Sequence, residues 1–457
     1  MLGGRRCEER AYKEISAMDL CIASDGGTTL KIPYETTDDR DKFLELKVGS
    51  KNLVQSFIPR EQPPLVDLMS DVVKAAENPI GGKKLSELLA GARKVAIITE
   101  NQYRGAPVTE IVPWLLAQIR KAGASPVILI GCGKMAVLAP DAIEQKLGPE
   151  VVASDVEIYC NNVKQRENYA YKGTTSFGVA VWVHRKVAEA DVIITISTTQ
   201  ATLWGYGGSG MILPAVAGNE TIEYNHVMSL APDCVPGNND CRMQQDKYEA
   251  ARIGGISMGI HMLVNNASQP TYVNAGDFVL AHQEAVRNYD RVYRFEAAEF
   301  KDRKADIVIA GCSATTGDLF THTCWAVVNC LPIVKKGGTI IFATPCPGYR
   351  NLSGFALMEF MKPFLPASPE NQERALKSFY DQSNGLWTGC VWYKLYEAML
   401  HADVRIVTLP KNHEFARDIG FDVYESVQKA YQDALDRHGA DARVAFVPYG
   451  RYTVLDA

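Results

Sequence analysis

The chain has 457 residues, of which 47% are hydrophobic and 22% charged, and it carries a formal net charge of -5. That length exceeds one ordinary core, so two domains are expected. Basic residues are scattered with no basic stripe, which argues against a nucleic-acid partner and for a small-molecule ligand. Eleven cysteines occur without any Cys-x-x-Cys pair, against a zinc ribbon or an iron–sulfur cluster. They read as free, mostly buried thiols of a reducing compartment. Residues 1–25 are charged throughout and no apolar run reaches bilayer length, so neither a signal peptide nor a membrane anchor is expected, and cytoplasmic residence follows.

In chain order, residues 1–44 form a polar leader, and Leu46 to Phe57 opens a first domain expected to span 45–287. A helix begins at Val66-Asp67-Leu68-Met69 and stops near Asn78-Pro79-Ile80-Gly81-Gly82. Apolar runs at Val95 to Thr99, Pro126 to Gly131, Val156 to Cys160 and Val192 to Ile196 read as buried strands, with a helical period over Thr109 to Ala122. The segment Asn288 to Lys304 reads as the crossing to a second domain, 288–457. Its elements are strand Asp306 to Ala310, helix His322 to Ile333, turn Lys336-Gly337-Gly338, strands Thr339 to Ala343 and Val404 to Thr408, helix Val423 to Arg437 and strand Arg443 to Val447. The last helix is allowed to return to the first domain. The fold class is therefore α/β: two tandem α/β domains with mostly parallel sheets and an active-site cleft between them.

Ligands in open α/β sheets sit at the carboxyl ends of strands, which selects the loops at Glu100 to Pro107, Gly131 to Ala136, Thr198 to Gly210 and Gly311 to Asp318. Trp204-Gly205-Tyr206-Gly207-Gly208-Ser209-Gly210 has four glycines in seven residues, leaving backbone amides open to a phosphate or carboxylate. Arg104, between a strand and a helix, can grip a carboxylate bidentately or serve as a surface arginine. His226 follows the glycine loop and can ligate a divalent metal or stand as a hydrogen-bonded structural histidine. His322 can face the cleft as an acid or base, and His282 suits packing or support of the site.

These blocks, in this order, make the chain similar to the nickel-dependent lactate racemases, two-domain α/β proteins that use a nickel pincer nucleotide. The likeness runs from about Leu46 to Thr408. It rests on Asn78-Pro79-Ile80-Gly81, Glu100 to Pro107, Gly131 to Leu138, Lys172 to Gly178, Glu189-Ala190-Asp191, the glycine loop, Asn225-His226, Ala275-Gly276-Asp277 and Lys336-Gly337-Gly338. The resemblance implies that His226 ligates nickel, that Arg104, with Asn101 nearby, holds the substrate carboxylate, and that Gly205, Tyr206, Gly207, Gly208, Ser209 and Gly210 bind the cofactor.

Several positions depart from the family pattern. Asn101 replaces an aspartate, Gly133 and Gln200 fall where the two acid–base histidines belong, and Thr321 and Cys324 replace a glutamine and a lysine. Gly210 stands at the lysine that tethers the nucleotide, so the nickel pincer nucleotide is expected to bind without a covalent bond. Glycine carries no proton, so proton transfer is expected from His322, Gln200 or Tyr206. The expected function is a racemase or epimerase of a 2-hydroxy acid. Its rivals are a nickel-free lyase or dehydratase and a non-catalytic protein that binds a small acid or nucleotide. Oligomeric state is not legible.

Overall fold

The computed structural model describes residues 20–36, 39, 41–312, 320–347, 361–381 and 386–457. Most of the expected leader and residues 313–318 of the fourth selected loop lie outside them. Among the described residues no helix is long and apolar enough to cross a membrane.

Two six-stranded sheets organise the chain. The first runs Pro270–Gly276, Met258–Val264, Val192–Thr198, Lys94–Glu100, Ser125–Gly131 and Glu157–Cys160, parallel except for the antiparallel pair at the Pro270 edge. Val95, Ile97, Ile194, Ile128 and Ile130 are fully buried under the helix Val108–Lys121, while Ala96, Ile98 and Leu129 face a second core on the other side of the sheet. Burial on both faces explains why these strands read as continuous apolar runs. The second sheet is wholly parallel and runs Asp422–Tyr424, Asp403–Val407, Val334–Ala343, Ala305–Ala310, Val444–Val447 and Leu53–Ser56. Two α/β units with mostly parallel sheets are thus present, as expected.

The division of the chain is less sequential than its sequence implies. Residues 46–56, expected to open the first domain, form two strands: Leu53–Ser56 is an edge of the second sheet, and Phe43–Gly49 closes an antiparallel three-stranded sheet with Cys21–Ser24 and Gly27–Pro33. Leu30, Ile32, Leu46 and Val48 from that small sheet pack on Ile307, Ile309 and Phe446, which a pattern confined to local sequence cannot register. The helix Val427–His438 stays on the second sheet, burying Ala430, Tyr431 and Ala434 in the same core. What returns to the first unit is the tail after it: Val454–Asp456 pairs with Arg294–Glu296, and Arg451 donates to the Ala201 carbonyl at 2.8 Å. The expected helix His322 to Ile333 is two short ones, Phe320–Thr323 and Trp325–Asn329, and the crossing segment begins inside the helix Phe278–Tyr293.

Candidate active site

The carboxyl ends of the first sheet face the second unit across a cavity of about 240 Å³. Its lining brings together Arg104 and Asn101, Gln200, the run Tyr206 to Gly210, His226, His322 and Lys247. Gly205 is the one candidate outside that lining: it supports the loop from behind.

Glu100, at the end of its strand, holds the first wall. Its carboxylate accepts from the Thr198 amide at 2.9 Å and hydroxyl at 3.0 Å, and from the Ala106 amide at 3.0 Å. Two strand ends and the Arg104 loop are thereby joined through one buried acid. Within the loop, the Asn101 side-chain oxygen accepts from the Tyr103 amide at 3.1 Å, an Asx turn that sets up Arg104. Burial pushes the Arg104 guanidinium down from its ordinary value, partly offset by Glu100. No described side chain forms an ion pair with it, so its donors are available to a carboxylate.

The glycine loop is more specialised than its sequence implies. Gly205 and Gly207 donate their amides to the carbonyls of Val235 at 3.0 Å and Gln200 at 2.8 Å, so these two are not anion donors. Only the amides of Gly208, Ser209 and Gly210 are left without a described acceptor. Gly208 needs to be glycine: its φ is +90°, and a Cβ there would lie 2.9 Å from the Thr199 hydroxyl and 3.0 Å from the Thr198 carbonyl. His282 anchors the loop, with Nε2 donating to the Gly207 carbonyl at 2.8 Å while Nδ1 accepts from the Tyr248 hydroxyl at 2.7 Å.

Tyr206, expected as a candidate proton carrier, lines the cavity, but its hydroxyl is already engaged: it donates to Asp290 and accepts from Arg294 at 2.8 Å, and burial raises its pKa well above the ordinary phenol value. Hydrogen bonding of a buried phenol to a carboxylate is structural, and sequence gave no hint that Asp290 lay opposite.

His226 sits near the end of the helix Asn219–Val227. Its Nδ1–H donates to the Ile222 carbonyl at 2.7 Å, because a carbonyl can only accept, so the ring lone pair resides on Nε2. Burial lowers its pKa to about 3, keeping it neutral. That is the tautomer and charge a metal ligand requires. Among the described residues no group of three His, Cys, Asp or Glu side chains gathers around a metal position.

From the second unit, His322 packs edge to face on Tyr103 and on Trp325, with ring centroids 6.0 and 5.9 Å away. Burial first, and then the charges of Arg104 and Arg451, hold its pKa well below the ordinary value. The imidazole is therefore neutral near neutral pH. Arg451 itself stacks 3.8 Å over the Trp325 ring and is pushed down to about 10 by burial. Cys324 is buried beside it, and the side chain of Thr321 lies outside the described residues.

Sequence reasoning did not single out Glu100, Lys247 or Arg451. Glu100 was visible as a carboxylate ending an otherwise apolar strand. Lys247 was visible as a charge among Met243, Tyr248, Ala250 and Ala251, all buried on one helix. Arg451 had no local signal, since its partners lie at positions 201 and 325.

The glycine loop, a neutral histidine and a buried guanidinium thus line one cavity of an α/β protein, at the carboxyl ends of strands where such folds place ligands. Residues 40–237 match the lactate racemase N-terminal domain, and over most of its length the chain is similar to the lactate racemases. It is 25% identical over 436 residues to the lactate racemase of Thermoanaerobacterium thermosaccharolyticum, covering 92% of this chain and 96% of that one. With the lactate racemase of Lactiplantibacillus plantarum it shares 25% identity over 394 residues, 83% of this chain and 89% of the relative. The fold matches the lactate racemase apoprotein of T. thermosaccharolyticum with a TM-score of 0.82 at 21% identity, over 94% of this chain and all of that one. A Thermotoga maritima protein matches with a TM-score of 0.61 at 16% identity, over 85% of this chain and 97% of its own.

Proposed function

We propose that this chain is an isomerase, a racemase or epimerase of a 2-hydroxy acid, working with a nickel pincer nucleotide in the cleft. The observation that supports it most is the convergence of Arg104, His226, His322 and the Gly208 to Gly210 amides on one cavity.

Arg104 holds the substrate carboxylate with paired N–H donors, and Asn101 fixes the turn that presents it. His322 takes the hydroxyl proton and returns it, since the ring is neutral and lies across the cleft from the carboxylate site. Gln200 can orient the hydroxyl by hydrogen bonding but cannot ionise, so its part is positional. Gly208, Ser209 and Gly210 offer amides to an anionic group of the nucleotide, and Nε2 of His226 would hold the metal. The chemistry the nickel nucleotide supplies when bound is reversible uptake of the C2 hydrogen with its electron pair. Closure of aromatic side chains around His322 keeps water from the reacting carbon.

Metal analysis of protein purified from a host that makes the nickel nucleotide tests the reading. Stoichiometric nickel is expected in the parent and its loss in His226→Ala, with the far-ultraviolet spectrum unchanged. Equal nickel in both proteins would remove His226 from the site, and absence of nickel from the parent would favour a metal-free lyase.

A further inference from the structure

Lys247 is a lysine where packing alone calls for none. It lies on the helix Arg242–Gly254, is 5% exposed, and lines the same cavity as Gly210 and His226. A methionine would fill that volume without desolvating an ammonium, a cost of several kcal/mol per buried ion. The neighbouring carboxylate of Asp246 offsets only part of that cost, since it makes no ion pair with the lysine and accepts instead from the Thr175 hydroxyl at 2.6 Å and the Asn225 amide at 2.7 Å. Among the described residues Lys247 has no ion-pair partner within 4 Å and no hydrogen-bond acceptor; the titratable groups near it are the thiols of Cys241, Cys234 and Cys390 and the carboxylate of Asp246. Burial accordingly lowers its pKa, and its charge is near enough to oppose protonation of His226.

Gly210, by contrast, leaves a side chain little room. A Cβ there would meet Pro214 Cδ at 3.0 Å and the Leu213 carbonyl at 3.3 Å.

We propose that Lys247 Nζ is the acyl-accepting amine of this cavity, the atom to which an activated acyl group on a ligand seated along Gly208 to Gly210 becomes covalently bound. A covalent tether then arises from the helix facing the loop. The proposal rests on the functional reading above only for the identity of the ligand. In the step, the nitrogen lone pair forms a bond to the acyl carbon, the bond from that carbon to its sulfur leaving group breaks, and the amine proton departs with the thiolate as a thiol. No oxidant or reductant is required. Desolvated lysines are activated in this way because the neutral amine is the nucleophile.

The probe is S-acetyl-N-acetylcysteamine, a small acyl thioester, applied to the full-length protein at neutral pH and read by peptide mass mapping. Acetylation of Lys247 is expected on the order of tenfold faster than the mean of the surface lysines, which stay protonated. Lys247→Met should remove that label and unfold at or above the parent's midpoint, since no ammonium is then buried; Lys247→Arg should also remove it. Labelling of Lys247 no faster than that of surface lysines would overturn the proposal. So would a pattern in which Lys247→Met changes only the alkylation rate of Cys241, which would make the lysine a counter-charge for that thiol. Nickel plays no part in this assay, so failure of the metal reading and failure of the acyl-acceptor reading are separate results.

Discussion

Tyr103 and His322 meet edge to face across the cleft, their ring centroids 6.0 Å apart and their planes at 78°. One ring belongs to the first sheet's loop and the other to a short helix of the second unit, so this contact brings the Arg104 loop against the proposed base.

Arg104→Lys keeps the charge and removes the planar fork. Loss of a paired hydrogen bond to a carboxylate costs about 2–3 kcal/mol, or about 10²-fold in kcat/KM, carried mainly by KM. Steady-state kinetics on any 2-hydroxy acid that the parent turns over decide the matter; an unchanged KM would place the carboxylate elsewhere.

Gly208→Ala should destabilise the fold and empty the anion site together. The left-handed φ and the 2.9 Å approach to Thr199 both oppose a methyl group. About 1–3 kcal/mol is expected from the backbone alone, measured by urea unfolding. Gly207→Ala is the control, since its nearest neighbour would be 3.5 Å away. Equal losses in the two variants would contradict the assignment.

Asp290→Ala strips the acceptor from the Tyr206 hydroxyl and one carboxylate from Arg294, which keeps Asp456 at 2.7 Å. Stability should fall by about 1–3 kcal/mol, and Tyr206→Phe should cost less because Arg294 retains its remaining partners. A Tyr206→Phe variant with full stability but no turnover would restore the tyrosine as a proton carrier.

Acid should weaken the fold through buried histidines. Burial lowers the pKa of both His184 and His282 to about 4. With folded values below the unfolded value, near 6.5, the unfolded chain binds more protons throughout that interval. Their contribution is complete above about pH 6.5 and is lost as the pH falls toward about 4, by about 1.4 kcal/mol per pH unit for each histidine. Denaturant titrations across this range test the sign: stability independent of pH would mean that neither ring has its pKa depressed by the fold.

Legibility followed the range of the interactions. The strands ending at Glu100, Gly131 and Thr198 were readable because each is buried on both faces, and the loops after them carry the site because strand ends do in such sheets. Arg104, His226 and His322 were placed by their position relative to those loops. By contrast, Leu53–Ser56 joins a strand almost four hundred residues later, and no local period reports that pairing. The glycine run showed where the backbone could be bare but not which amides are used internally, because Gln200 and Val235 take two of them. Lys247 stood out as one charge among apolar neighbours on its helix, but nothing local distinguished that position from an exposed turn before the fold closes over it.

The most direct test of the account is to incubate the nickel-loaded protein with a panel of enantiopure 2-hydroxy acids deuterated at C2 and to follow configuration and label together by chiral chromatography and mass spectrometry. The account predicts that at least one acid inverts at C2 with its deuterium largely retained, and that Arg104→Lys slows this inversion. Recovery of every acid with configuration and label untouched would contradict the assignment of an isomerase and leave a binding protein in its place.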